Sequence, residues 1–324
     1  MKNDIFISIV VPIYKAEKYI KESVESLFEQ DFKGNVEYIF VNDCSPDNSI
    51  DILKKIITHY PQHKNKIKIV NHDNNKGSGA ARETGIKNAI GEYIIQIDAD
   101  DWCEIDMLSV LYKSAMENNS DIVYCDFYRD YKNEKIKYCK QKNKTELFYS
   151  MIISGEIDNS LCNKLIKRTL YTNNNLYPPS HISMAEDRYL MIRLCYFAKK
   201  ISYVNRAFLH YRQDNETSLM FNYNEKSFND FKKFINETYV FLVKENIFDE
   251  YKDDFYKLIM SHLHLFYIYD KGFLKENYPD SLRIKYIIDF KGSSLPIKSF
   301  KVSLLLFPDL FRELLLRFYL KVRR

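Results

Sequence analysis

Residues 94–102, IIQIDADDW, end an apolar stretch in three carboxylates: Asp98, Asp100 and Asp101. Successive side chains of a strand face opposite ways, so Asp98 and Asp100 can point into one cleft. Hard carboxylate oxygens gathered there suit Mg²⁺ or Mn²⁺. Taken alone, the same residues also read as a solvated acidic turn that caps the next helix, so the elements around them have to decide.

Residues 5–11 form a nearly continuous apolar run bounded by Pro12, the pattern of a strand buried on both faces. Ile20, Val24, Leu27 and Phe28 then recur at helical spacing. The alternation repeats: 36–41 as strand, Leu53, Ile56, Ile57 and Tyr60 as a helix face, 67–70 as strand, 80–89 as helix, and 93–97 as strand. This order predicts an α/β fold with a mainly parallel central sheet flanked by helices, whose ligand crevice lies at the carboxyl ends of the strands. Those ends carry residues 12–14, 42–45 and 98–101, and a cation beside a nucleotide pocket is the simplest use of the three together. No GxGxxG follows the first strand, which disfavours a dinucleotide fold, and the absence of GxxxxGK[ST] removes the P-loop enzymes. A nucleotidylyltransferase is disfavoured too, for want of a glycine-rich basic loop after strand one. What is left is a site where a metal ion, rather than a glycine-rich loop, neutralises phosphates.

At 324 residues and 46% hydrophobic content the chain can build one large domain and a smaller appendage. A net charge of +4 implies no global polyanion-binding field, so no nucleic-acid partner is expected. The 26 tyrosines suit either sugar clefts or half-wet core positions and decide nothing. Six scattered cysteines without a CxxC pair fit reduced thiols in a cytoplasm. The N-terminus enters a strand at once, and no apolar run approaches membrane-spanning length, so the expected location is cytoplasmic.

Several segments in order resemble the inverting family 2 glycosyltransferases of bacterial surface-polysaccharide type, which have the GT-A fold. SIVVPIYKAEKYI resembles their opening strand and helix, VNDCSPDNS the second-strand loop, NKGSGAARETGI the segment before the metal motif, and IDADDW the DXD motif. CNKLIKRTLY, SMAEDRYLMIRL and HYRQDNETS also fit, so the resemblance covers roughly residues 5–220.

The resemblance implies that Pro12, Tyr14 and Glu17 line the nucleotide pocket and that Asp43 hydrogen-bonds the base, uracil. It places Arg82 near the donor sugar or phosphates, Asp98 on the ribose or sugar side, and Asp100 as ligand to the Mn²⁺ or Mg²⁺ that bridges the diphosphate. Asp187, in the ED pair, matches the general base. Asn42 and Glu83 depart from the family's frequent aspartate and asparagine, which leaves donor identity open. Some GT-A enzymes add a histidine to the metal shell, and His210 is the one well placed; a packed or hydrogen-bonded residue is its other reading. Arg212 is the cation that could clamp the diphosphate.

The implied reaction displaces UDP from the anomeric carbon. Charge develops on the diphosphate, where a divalent ion stabilises it, and a carboxylate takes the attacking hydroxyl's proton. Direct in-line attack inverts the anomeric configuration. The expected partners are a UDP-sugar donor and a growing glycan or lipid-linked glycan acceptor. The alternatives are a catalytically inactive nucleotide-binding partner of a polysaccharide assembly complex, and a nucleotide-sugar hydrolase. Ser183 and Glu186 are spaced as a capping box, which reads Glu186 as a helix cap rather than a catalyst. Trp102 reads as packing. His181 could touch acceptor, while His262 and His264, two apart on a helix, do not share a metal.

Beyond residue 220 the pattern turns helical, giving domains at 1–220 and 221–324. Leu258, His262 and Leu265 fall on one amphipathic segment. The final stretch places Phe311, Leu315, Phe318, Tyr319 and Val322 on one face with arginines and lysines off it. That face suits peripheral contact with the anionic inner leaflet, its own domain or a second subunit.

Overall fold

The computed structural model describes residues 5–131, 134–138, 147–213, 224–291 and 293–307. The chain divides into two compact units, one drawing on residues 1–146 and 159–222, the other on 147–158 and 223–324. The segment 147–158 therefore groups with the second unit, although it lies inside the span read from sequence as the first domain.

The first unit opens as β1 (Ile7–Ile13), α1 (Ile20–Phe28), β2 (Val36–Asn42), α2 (Ser49–His59), β3 (Ile67–Asn71), α3 (Ser78–Asn88) and β4 (Tyr93–Gln96). Pairing among β1–β4 is parallel throughout, in the order β3-β2-β1-β4. Alternation along β1 explains the layers. Ile7, Ile9, Val11 and Ile13 join one buried cluster with Ile20, Val24, Leu27 and Phe28 of α1, each such side chain contributing about 1.5–3 kcal/mol. Val10 faces the other way, against α3. A Cβ at Gly85 would stand 2.2 Å from Val10 Cγ1, so only glycine lets α3 lie this close.

The chain continues through β5 (Trp102–Cys103), α4 (Met107–Asn118), β6 (Ile122–Tyr131) and β7 (Glu134–Tyr138). After α5 (Phe148–Ser154), which belongs to the second unit, come β8 (Lys164–Lys167), α6 (Arg168–Asn174), α7 (Glu186–Phe197) and β9 (Ile201–Arg212). The sheet extends as β4-β8-β6-β9-β5, with β7 on β6. This half is mixed: β8 is antiparallel to β4 and β6, β9 parallel to β6, and β5 antiparallel to β9. Its register carries Arg212, at the end of β9, to the acidic turn after β4.

The second unit adds α8 (Glu225–Lys244), α9 (Phe248–Ser261), α10 (Leu263–Tyr269), α11 (Phe273–Asn277), α12 (Ile284–Asp289) and α13 (Leu295–Leu306). Its core is aromatic, built on buried Phe228, Phe231, Phe234, Phe255 and Phe266. The segment expected to run through Leu258 and Leu265 is broken at His262, whose φ of −114° ends α9. His262 Nδ1 engages the Ser261 hydroxyl at 2.7 Å and the Leu258 carbonyl at 3.2 Å. Among the described residues no helix is long and apolar enough to cross a membrane. The terminal apolar and basic face lies outside the described residues.

Candidate active site

Two loops at the carboxyl ends of β1 and β2 close on each other. Lys15 and Cys44 adopt left-handed backbone, φ 52° and 54°, at a cost of about 1 kcal/mol or more each, the kind of strain found at working sites. The Asp47 carboxylate gathers the Ser45 and Ser49 hydroxyls, at 2.6 and 2.5 Å, and the Glu17 N–H at 3.0 Å. Glu17 in turn accepts from the Asn48 N–H and side-chain amide at 3.1 and 3.2 Å. Pro12 is half-buried, and Tyr14 stands 44% exposed at the loop's edge, with Lys15 Nζ 5.2 Å from the centre of its ring.

Asp43 was expected to meet the base, and the structure assigns it other partners. Its side chain is 2% exposed and accepts from His72 Nδ1 at 2.7 Å, the Lys76 N–H at 2.9 Å and the Gly77 N–H at 2.8 Å. His72 Nε2 continues to the Thr84 hydroxyl at 2.9 Å. A carboxylate held by three donors fixes the loop that leads into α3.

Arg82, on α3, is the centre of the site. It is 4% exposed, donates to Asp98 Oδ1 at 2.5 Å and to Gln96 at 3.4 Å, and lies 3.9 Å from Asp187 Oδ1. Burial alone would lower its pKa, but Asp98 and Asp187 override that and hold it well above the ordinary value. One buried cation thus joins the acidic turn after β4 to the first turn of α7.

Glu186 does not cap α7. The preceding Ala185 is left-handed at φ 71°, the helix has no side-chain cap, and Glu186 instead accepts from the Ser78 hydroxyl at 2.9 Å. Enclosure and then the like charge of Asp187 push its pKa up to about 7, against the opposing pull of Arg82 and Ser78. The unfolded chain releases this proton near the ordinary glutamate value of 4.5 while the fold keeps it to about 7. Stability therefore falls as pH rises through that window. Glu186→Gln is expected to flatten the slope, recovering no more than about 3 kcal/mol at neutral pH. Urea unfolding at about pH 5 and about pH 7.5 measures it, and an unaltered slope would contradict the assignment.

In the acidic turn, Asp100 is half-buried whereas Asp101 is fully buried. Burial, then Asp100 and Asp98, raise the Asp101 pKa well above the carboxylate range. Asp101 Oδ1 accepts from the Arg212 N–H at 3.0 Å, and its buried Oδ2 has no hydrogen-bond partner among the described residues. Ligand atoms of Asp98, Asp101 and Cys162 lie within 4.8 Å of one another. An orphaned carboxylate oxygen in such a group fits a cation. Cys162, on the loop before β8, carried no signal in the sequence beyond being one scattered thiol.

Two other candidates have protein partners of their own. His210 is fully buried, stacked at 3.4 Å on Trp102 and at 4.6 Å on Tyr128. Its Nδ1 meets Asp130 at 3.1 Å and its Nε2 meets Glu104 at 3.0 Å. Both of its ring nitrogens thus face carboxylates, the hydrogen-bonded arrangement that was the other reading of His210. Arg212 donates from Nε to the Asp100 carbonyl at 3.0 Å and from Nη2 to Glu22 at 2.6 Å, and covers Tyr19. These contacts make it a brace for the acidic turn.

The sheet and crevice have counterparts in solved structures. The TarS glycosyltransferase of Staphylococcus aureus, residues 1–349 with UDP-GlcNAc, superposes with a TM-score of 0.68 at 21% identity, covering 92% of this chain and 87% of that one. A UDP complex of the same protein gives 0.64. The mannosyltransferase PcManGT of Pyrobaculum calidifontis, with GDP-Man and Mn²⁺, gives 0.58 at 14% identity over 97% of this chain and 85% of that one. At these identities the likeness establishes the GT-A fold. In sequence, the EpsH protein of Bacillus subtilis (strain 168) is 30% identical over 264 residues, 79% of this chain and 74% of EpsH. The Glycosyl transferase family 2 profile matches residues 8–181, which contain β1–β4, Arg82 and the acidic turn. On that match, on EpsH and on the shared fold, this chain is a member of glycosyl transferase family 2.

Proposed function

We propose that the chain is a metal-dependent inverting glycosyltransferase that moves a sugar from a UDP-sugar to a hydroxyl of a growing surface glycan or lipid-linked acceptor. The observation that carries this reading is Arg82, which lies between Asp98, in the acidic turn, and Asp187, in the first turn of α7. TarS, whose structures hold UDP and UDP-GlcNAc, supports the uridine donor, and PcManGT with Mn²⁺ supports the ion. The ion would be held by Asp100 and Asp98 and would supply positive charge to the departing diphosphate.

The chain's own groups do the rest. Asp187 takes the proton from the attacking hydroxyl as its oxygen bonds to the anomeric carbon, and the bond to UDP breaks with its electron pair leaving on the diphosphate. A single displacement of this kind inverts the carbon. Tyr14 offers a ring face to the base. Arg82 holds both carboxylates in place, while Asp43 and Arg212 position the loops that carry Gly77 and Asp100.

Calorimetric titration of UDP, GDP, CDP and dTDP, with and without Mn²⁺, tests this reading. UDP binding that needs Mn²⁺ and is lost in Asp100→Ala is the expected result. No nucleotide binding in any condition would overturn it.

A further inference from the structure

We propose that Cys162 supplies a sulfur ligand behind the acidic turn, so that Asp98, Asp101 and Cys162 form a mixed oxygen and sulfur site for a borderline-soft divalent cation such as Zn²⁺ or Co²⁺. This rests on reading the turn as a cation site and adds a ligand type that the DADD run does not contain.

Three observations carry it. The three ligand atoms lie within 4.8 Å of one another. Around a tetrahedral zinc, with bonds of about 2.0–2.3 Å, they would stand roughly 3.5 Å apart, within reach of small side-chain rotations. Asp101 is 0% exposed, and its buried Oδ2 has no hydrogen-bond partner among the described residues. Leaving such an oxygen unsatisfied is costly, and a bound cation would offset that cost.

The third observation is that the thiol is held rather than loose. Cys162 is 1% exposed and its N–H donates to the Ser160 hydroxyl at 3.1 Å. The next residue, Asn163, donates to the Cys125 carbonyl at 2.6 Å. Lys164 Nζ, fully buried, donates to the Ser160 carbonyl at 2.5 Å and to Asn163 Oδ1 at 2.7 Å. These bonds fix the loop on both sides of the sulfur, so little ordering cost is left for a metal to meet.

Binding exchanges the protons held by the Cys162 thiol and the Asp101 carboxyl for the cation: the S–H and O–H bonds break, metal–sulfur and metal–oxygen bonds form with the same electron pairs, and both protons pass to solvent. Arg82 donates to Asp98 at 2.5 Å, and the Arg212 backbone N–H donates to Asp101 at 3.0 Å. Two carboxylates and a thiolate outweigh the guanidinium. Zinc and cobalt bind nitrogen, oxygen and sulfur sites more tightly than manganese does, so they should compete with it here.

The test is Co²⁺ titrated into the full chain, followed by sulfur-to-metal charge-transfer absorption, together with X-ray absorption of the zinc-loaded protein. One equivalent should raise the band in the wild type and in Cys44→Ser, and the band should vanish in Cys162→Ser and weaken in Asp101→Asn. The zinc shell should contain one sulfur at about 2.3 Å. An all-oxygen and nitrogen shell, or a band that survives Cys162→Ser, would overturn the proposal. If Cys162→Ser does not fold, the wild-type zinc shell decides. Mn²⁺-dependent UDP binding without a sulfur ligand would sink this inference and leave the transferase reading intact.

Discussion

Asp187→Asn is expected to lower the rate of sugar transfer by about 10²–10⁴-fold, the usual contribution of a positioned general base, while leaving UDP binding unchanged. Asparagine keeps the shape of the side chain and removes its ability to accept a proton. Asp187 sits in the first turn of α7, 3.9 Å from Arg82 Nε, and so belongs to the same charge group as Asp98. Its neighbour Glu186 is the competing candidate. Glu186 is turned to Ser78, from whose hydroxyl it accepts at 2.9 Å, while its raised pKa of about 7 is compatible with a base, so the two variants have to be compared directly. Initial rates of UDP release from Asp187→Asn and Glu186→Gln separate the two. Transfer abolished by Glu186→Gln and retained by Asp187→Asn would reverse the assignment.

Arg82→Met is expected to cost about 3 kcal/mol of stability and most of the activity together. Removing one partner of a buried ion pair leaves the other uncompensated, which costs about 3–5 kcal/mol when both are buried. Here the arginine side chain is 5% exposed, but Asp98 and Asp187 are 31% and 27% exposed. Water offsets part of the loss, which places the effect at the low end. Without the guanidinium, Asp98, Asp187 and Glu186 repel one another, and the geometry linking the turn to α7 is lost. Arg82→Lys restores charge but not the fork that reaches Asp98 and Gln96, so it should recover stability more than activity. Urea unfolding and UDP-release rates measure both. A variant Arg82→Met with wild-type stability and turnover would remove Arg82 from the centre of the site.

Much of this was legible in the sequence because the signals are local. The apolar runs of β1, β2 and β4 and the helical spacing of Ile20, Val24, Leu27 and Phe28 are set by residues a few positions apart. The carboxylates of the acidic turn are adjacent in the chain, so their crowding is visible without a fold. What was not legible depends on long-range register. Tyr128 lies opposite His210 across β6 and β9, and Trp102 opposite His210 across β5 and β9, so which rings and carboxylates surround this histidine could not be read from its neighbours in sequence. Asp43 looked available until His72, Lys76 and Gly77 closed over it. Ser183 and Glu186 have capping spacing, yet the left-handed Ala185 starts α7 at Glu186 and turns that side chain toward Ser78. Cys162 reaches the acidic turn only because β8 pairs with β4 in the sheet. The uniform helical pattern near His262 hid a break that no proline or glycine announces.

The most direct test of the account is proton NMR of the wild-type enzyme turning over α-linked UDP-sugars, UDP-GlcNAc first, with Mn²⁺ and water or a simple alcohol as acceptor. The account predicts that the first product to appear is the β-anomer, formed before mutarotation, with release of UDP. An α-product would contradict direct displacement by a hydroxyl activated at Asp187, and no UDP release from any donor would contradict the transferase itself.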